Sequence, residues 1–464
     1  MAKKNRTVFV CQECGYESPK WMGQCICGAW NTMVEEKITD DDSVDRRRRS
    51  SAAGQTGVRA EKLSEVTASD AGERISSGIG ELDRVLGGGL VKGSLILISG
   101  EPGIGKSTLI MQAAASIAEE AGSVLYMTGE ESQEQIKLRA DRVCGRLSDD
   151  LYIMADTSME NMISEAEKMK PALIIIDSIQ TMYTSELESS PGSVSQVRAC
   201  CNELMRVGKV MDIPVFIVAH VTKSGELAGP RTIEHLVDCV LSFTGERSRE
   251  LRILRSLKNR FGTTSEIGAF EMAEEGLVEI SDLSGRFLEE MDKEAEGSVV
   301  TAVYEGTRPL LLEVQALTAS SNMSFPRRTA IGAEASRLNM ILAVLERKAG
   351  IPVSDYDVYV NIVGGLRPEG TSIDLAVALA VCSSYSGRPC RADTLVLGEI
   401  GLTGDLRSVQ NTEKIIREAA RMGFAKIVLP EKQARKLSDI CAETGIQIEG
   451  ARNITEAVRI CIPR

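Results

Sequence analysis

The 464-residue chain is 43% hydrophobic and 26% charged, the balance of an ordinary globular protein, and its length predicts about three domains. A formal net charge of -12 excludes a surface coated in nucleic-acid-binding charge, so any contact with DNA must be local. No apolar run reaches the roughly 18 residues of a membrane span, and the basic residues 1–6 have no apolar signal region behind them, so a cytoplasmic protein without membrane contact is expected. Aromatic residues are only 4%, which leaves aliphatic side chains and methionine to build the cores. Of twelve cysteines, four cluster near the N-terminus and eight are scattered, a pattern that reads as one metal site plus buried thiols rather than disulfides.

The first predicted element holds that cluster. Cys11 and Cys14 form a C-x2-C pair, and ten residues later Cys25 and Cys27 form a C-x-C pair. Four thiolates so spaced can surround Zn²⁺ tetrahedrally. The second pair is one residue tighter than usual, so its knuckle must be sharp, and Gly28 suits it. A segment this short cannot bury enough core to fold alone, so residues 1–33 are expected to draw their folding energy from zinc. Trp21 and Trp30 flank the second pair; packing on the module is the simpler reading, stacking on a base the alternative. Residues 34–62 read as a flexible linker, with Asp40, Asp41 and Asp42 followed by Arg46, Arg47, Arg48 and Arg49.

A catalytic domain is predicted over 63–286. Residues 94–99 form an apolar, β-branched strand. Next come Gly100, Glu101, Pro102, Gly103, Ile104, Gly105, Lys106, Ser107 and Thr108, which fit G-x-x-x-x-G-K-[ST] at every fixed position. A run of helix formers follows. Strand, glycine-rich loop and helix together predict an ATP-binding loop, in which backbone N–H groups and a helix N-terminus face phosphate oxygens. Lys106 would reach the β- and γ-phosphates, and Ser107 would ligate Mg²⁺. Val124–Met127, Leu173-Ile174-Ile175-Ile176-Asp177 and residues 214–220 read as further buried strands. Asp177 ends one of them as an acid suited to hold Mg²⁺ through water.

These features, with the preceding Ser77-Gly78, Leu82-Asp83 and Leu86-Gly87-Gly88-Gly89, resemble the RecA-type ATPases. The resemblance implies a doubly wound α/β sheet, with Glu130 or its neighbour Glu131 orienting the attacking water and His220 sensing the γ-phosphate. It also implies DNA-facing loops near 184–195 and 223–232, the second carrying Lys223 and Arg231. The stretch Lys258-Asn259-Arg260-Phe261-Gly262 resembles the signature of the bacterial RadA (Sms) family, and that resemblance covers nearly the whole chain. It implies that Lys258 and Arg260 act in trans on a neighbour's ATP.

The acidic stretch 283–297 reads as a linker. From 287 to 464 a second α/β domain is predicted, with strands near 299–304 and 309–315 and helices near 337–347 and 372–382. It resembles the proteolytic domain of Lon. Ser372 stands at the position of the Lon nucleophile, but Glu413 falls where the lysine base belongs, with Lys414 one place later. Ser372 therefore reads as a helix N-cap and the domain as an inactive scaffold.

The expected architecture is a zinc ribbon, a RecA-type P-loop core and a Lon-like α/β domain. The expected function is a DNA-dependent ATPase of recombinational repair. The resemblance implies a homo-oligomeric ring, taken as a hexamer, that works on single-stranded and branched DNA beside the RecA recombinase. An ATP-dependent serine protease and a nucleotide-switched binding module are the alternatives.

Overall fold

The computed structural model describes residues 5–11, 16–28, 30–39, 74–220, 231–245, 251–321, 325–364, 366–368 and 370–463. It divides into two compact units, Met1–Ile280 and Ser281–Arg464.

The N-terminal module is a three-stranded antiparallel sheet of β1 (Asn5–Cys11), β2 (Glu17–Ser18) and β3 (Met33–Thr39), in the order β2-β1-β3. The expected boundary at 33 falls at the start of a strand. Residues 34–39, read as the beginning of a linker, pair with residues 5–10 of β1. Trp21 and Trp30 are 54% and 68% exposed, so neither is buried in the module, although the Trp21 ring lies against Gly23. Arg46–Arg49 lie outside the described residues.

The rest of the first unit is built on one sheet. In chain order its elements are β4 (Arg74–Ile75), α1 (Gly80–Leu86), β5 (Leu90–Val91), β6 (Leu95–Gly100), α2 (Lys106–Glu120), β7 (Val124–Thr128), α3 (Gln133–Val143), β8 (Leu151–Ala155), α4 (Met159–Met169) and β9 (Leu173–Asp177). There follow α5 (Val194–Met211), β10 (Val215–His220), α6 (Arg231–Leu236), β11 (Cys239–Gly245), β12 (Leu251–Asn259), β13 (Ile267–Ala273) and β14 (Gly276–Glu279). The strand order is β14-β13-β12-β11-β6-β10-β9-β7-β8. Strands β11 to β8 in that order run parallel, and β12, β13 and β14 extend the sheet antiparallel. The central parallel strands β6, β10, β9 and β7 are nearly continuous apolar runs because both faces are covered. Alternate residues divide between two cores: Ile96, Ile98 and Ile175 join the core that includes α2, and Leu95, Leu97 and Ile174 join the core that includes α5. The carboxyl ends of β6, β10, β9 and β7 come to one edge, where doubly wound sheets bind ligands.

Residues 184–195, expected as a DNA-facing loop, are tied down over residues 184–189. Gln196 bonds the backbone of Thr184, Leu187 and Ser189, and Glu160 accepts from Thr184 and from Ser185. Lys223 lies outside the described residues.

The second unit contains α7 (Leu283–Leu288), β15 (Ser298–Glu305), β16 (Arg308–Ser320), β17 (Arg328–Ile331), α8 (Ala335–Val344), β18 (Tyr356–Ile362), α9 (Asp374–Ser386), β19 (Thr394–Val396), β20 (Glu399–Ile400) and β21 (Leu406–Arg407). It ends with α10 (Thr412–Arg421), β22 (Lys426–Pro430), α11 (Glu431–Ala434), α12 (Ser438–Thr444), β23 (Gln447–Ala451) and α13 (Ile454–Cys461). Its seven-stranded mixed sheet has the order β17-β18-β16-β15-β19-β22-β23. The stretch read as a linker is in part the helix α7, whose Leu283 and Phe287 are buried. Phe287 takes the space beside Gly364, where a Cβ would lie 2.4 Å from its ring and φ is +93°.

Ser372 is not the N-cap of α9. The helix starts at Asp374, its cap is Ile373, and no side chain caps it. Asp374 is drawn inward instead: its carboxylate pairs with Arg337 and accepts from Ile400 N at 3.1 Å. Lys414 turns to Tyr304, donating to its hydroxyl at 2.6 Å.

Candidate ATP site and cysteine centre

The loop between β6 and α2 starts where no side chain fits. A Cβ at Gly100 would lie 2.4 Å from the carbonyl oxygen of Phe243 on the neighbouring strand. Gly105 has φ +114°, and a Cβ there would press on Met272 at 2.9 Å. Both residues must be glycine for the chain to reverse into α2 at this point. The first N–H groups of that fifteen-residue helix therefore open onto the loop, as an anion site requires.

Lys106 is buried, 3% exposed. Its Nζ donates to the carbonyls of Gly100 at 2.9 Å and Glu101 at 3.0 Å, and lies 3.2 Å from His220 Nδ1. Burial pulls its ammonium down to about 8, against the opposing pull of Asp177 and Glu130. An ammonium has no lone pair, so Nδ1 of His220 accepts and the ring proton sits on Nε2. That nitrogen faces Glu130 Oε1 at 3.5 Å.

Glu130 lies just past β7, and its Oε1 also accepts a hydrogen bond from Ser178. Glu131 points elsewhere: Arg139 holds its carboxylate at 2.6 Å, and its N–H bonds Thr128. Asp177, at the end of β9, is 6% exposed and accepts from the hydroxyl of Tyr126 at 2.5 Å. Burial, with the negative charge of Asp177, pushes that phenol well above its usual range, so it stays a donor. Glu130, Asp177 and His220, at or just past the ends of β7, β9 and β10, thus come together with Lys106 at the start of α2, where Ser107 follows it on the first turn.

Tyr126, Ser178 and Arg139 were not foreseen from the sequence. Each acts across strands or between a loop and a helix, and no local spacing marks such contacts.

Lys258 and Arg260 do not join this group. Gly100 is level with Phe243, and Phe243 with Leu254. Past a bulge in β12, Lys258 is level with Val240 and so with Leu97, three residues before Gly100 and about 10 Å back from the loop's level. Within the protomer the signature clamps helix ends. Lys258 Nζ donates to the carbonyls of Glu234 and Val237, both at 2.8 Å, and Asn259 Nδ2 donates to Leu86 O at 3.1 Å. Arg260 pairs with Asp238 at 3.1 Å and remains 53% exposed.

In the N-terminal module the sulfurs of Cys11, Cys25 and Cys27 lie within 4.8 Å of one another, those of Cys11 and Cys27 at 3.9 Å. Zn–S bonds of about 2.3 Å at tetrahedral angles place sulfurs about 3.8 Å apart, so this set fits zinc. Gly28, at φ +93°, closes the knuckle with its N–H on Cys25 O. Cys14 lies outside the described residues.

Comparison with known proteins accords with this geometry. Family models described as AAA domain, Subunit ChlI of Mg-chelatase and Rubredoxin metal binding domain match residues 59–226, 325–433 and 9–35. The chain is 47% identical over 459 residues to DNA repair protein RadA of Bacillus subtilis (strain 168), covering 98% of each chain. The chain belongs to the RadA family of DNA repair proteins. The Escherichia coli (strain K12) RadA is 45% identical over 463 residues, covering 99% of each chain, and the Haemophilus influenzae RadA is 44% identical over 461 residues. As a member of the RadA family, the chain combines an N-terminal zinc ribbon, a RecA-type ATPase core that binds ATP and a Lon-like α/β domain. Among the described residues, no helix is long and apolar enough to cross a membrane.

Proposed function

We propose that this protein is a DNA-dependent ATPase of recombinational repair, a ring motor, taken as a hexamer, that moves on single-stranded DNA and processes branched recombination intermediates beside the RecA recombinase. The observation that carries the reading is the meeting of Lys106, Glu130, Asp177 and His220 at the strand ends around the 100–108 loop. On binding ATP, Lys106 exchanges the carbonyls of Gly100 and Glu101 for the β- and γ-phosphates. Ser107 and Asp177 would hold Mg²⁺, which supplies charge neutralisation on the phosphates. Glu130, kept in place by Ser178, orients the attacking water. His220, at the end of β10, then loses its Lys106 partner, a change that reports the γ-phosphate. The position of Lys258 and Arg260, remote from their own loop, supports a role at the nucleotide of an adjoining protomer.

Phosphate release measured with and without single-stranded DNA tests the reading. Stimulation by DNA, abolished in Lys106→Arg, is expected; turnover in that variant equal to the parent would overturn the site assignment. A nucleotide-switched binding module would instead bind ATP with negligible release under either condition.

A further inference from the structure

We propose that Tyr126 is a positioning residue for the magnesium carboxylate: its buried hydroxyl ties Oδ2 of Asp177 and so reserves Oδ1 for the metal's water. The inference rests on the reading of Asp177 given above. Tyr126 is 0% exposed and belongs to the core that includes α2, a place where a phenylalanine would fill the same space. The hydroxyl is the only part of the side chain that apolar packing does not explain, and it is spent on Asp177 at 2.5 Å. A buried hydroxyl must find a partner, and a carboxylate serving as a metal ligand needs one oxygen fixed if the other is to be aimed.

The two residues stand on strands that are neighbours in the sheet. Thr128 is level with Asp177, and Tyr126 is two residues earlier on the same face. The phenol therefore spans from the core up to the strand end, and its ring is held by packing on all sides. It is a rigid prop, unlike a serine or water, which could follow the carboxylate as it turned. Without it Asp177 can rotate about its terminal bond, and both oxygens compete for the metal's water and for the nearby Lys106 ammonium.

The test is a magnesium titration of the affinity for a fluorescent ATP analogue, made on the full-length protein. Tyr126→Phe is expected to raise the half-saturating magnesium concentration about tenfold, the usual cost of removing an outer partner of a metal ligand, with affinity in excess chelator unchanged. In an Asp177→Asn background, Tyr126→Phe is expected to add nothing. A Tyr126→Phe titration that overlays the parent's would overturn the proposal, as would an equal shift in both backgrounds, which marks a packing effect. If Asp177→Asn itself leaves the magnesium dependence unmoved, the reading of Asp177 fails as well, and the two failures are thereby told apart.

Discussion

Lys258 is held within its own protomer, and removing it has a cost that does not involve ATP. Its ammonium caps the C-terminal end of α6 through the carbonyls of Glu234 and Val237, both at 2.8 Å, with His235 O at 3.4 Å. Such carbonyls have no partner inside a helix, and a cation there also opposes the helix dipole. Hydrogen bonds to a charged donor contribute about 1.5–3 kcal/mol when buried, and roughly 1 kcal/mol each for a side chain that water reaches. Lys258→Ala is therefore expected to lower the stability of the first unit by about 2 kcal/mol, or roughly 4–8 °C in Tm for a unit of this size. Arg260→Ala, removing one half-exposed ion pair, is expected to cost about 1 kcal/mol or less. Thermal unfolding at one fixed protein concentration, followed by tryptophan-independent circular dichroism, reads both. A Lys258→Ala transition that coincides with the parent's would refute the capping role. The same melt decides how much of any activity lost in that variant reflects folding rather than catalysis.

Other expectations follow from the same contacts. Burial alone would push the Glu160 carboxyl up, but hydrogen bonds from backbone, Ser185 and Thr184 outweigh it and hold the group at about 2. Its stabilisation is present above the unfolded value of 4.5 and is lost as pH falls through about 2. Glu160→Gln is expected to flatten the acid limb of the stability curve over that window; an unchanged limb contradicts the tether on residues 184–185. Metal analysis is expected to find one zinc per chain, lost in Cys25→Ser together with protection of residues 5–39 from protease, because binding energies of about 10–16 kcal/mol fold such modules. Full protection without the metal would show that the strands stand on their own.

What was legible in the sequence was local. The ATP loop declares itself in nine consecutive residues, and the buried strands do so by unbroken apolar runs such as Leu173–Asp177. What was not legible depends on contacts between distant positions. Glu130 and Glu131 are adjacent and chemically alike, and only Ser178 on one side and Arg139 on the other distinguish them. The polar residues Glu35, Glu36 and Lys37 hide a strand that exists because β1 lies beside it. Acidic neighbours hide α7, whose Leu283 and Phe287 are buried and whose Leu288 packs against the core. Ser372 has the composition of an N-cap, yet the cap is Ile373, one residue on, and the first helical residue, Asp374, pairs with distant Arg337. The Lys258–Arg260 signature was read as a reach towards a neighbour, while its clamping of α1 and α6 was not foreseen.

The central claim is that one protomer's ATP loop is completed by the adjoining protomer's Arg260, and mixing two inactive variants tests it most directly. Arg260→Ala supplies an intact loop, and Lys106→Arg supplies an intact Arg260. In a head-to-tail ring mixed one to one, about a quarter of the interfaces combine both intact halves. The account predicts that neither variant alone hydrolyses ATP and that the mixture recovers roughly that fraction of parental turnover. A mixture as inactive as its components, with mixed rings shown to form, would contradict it.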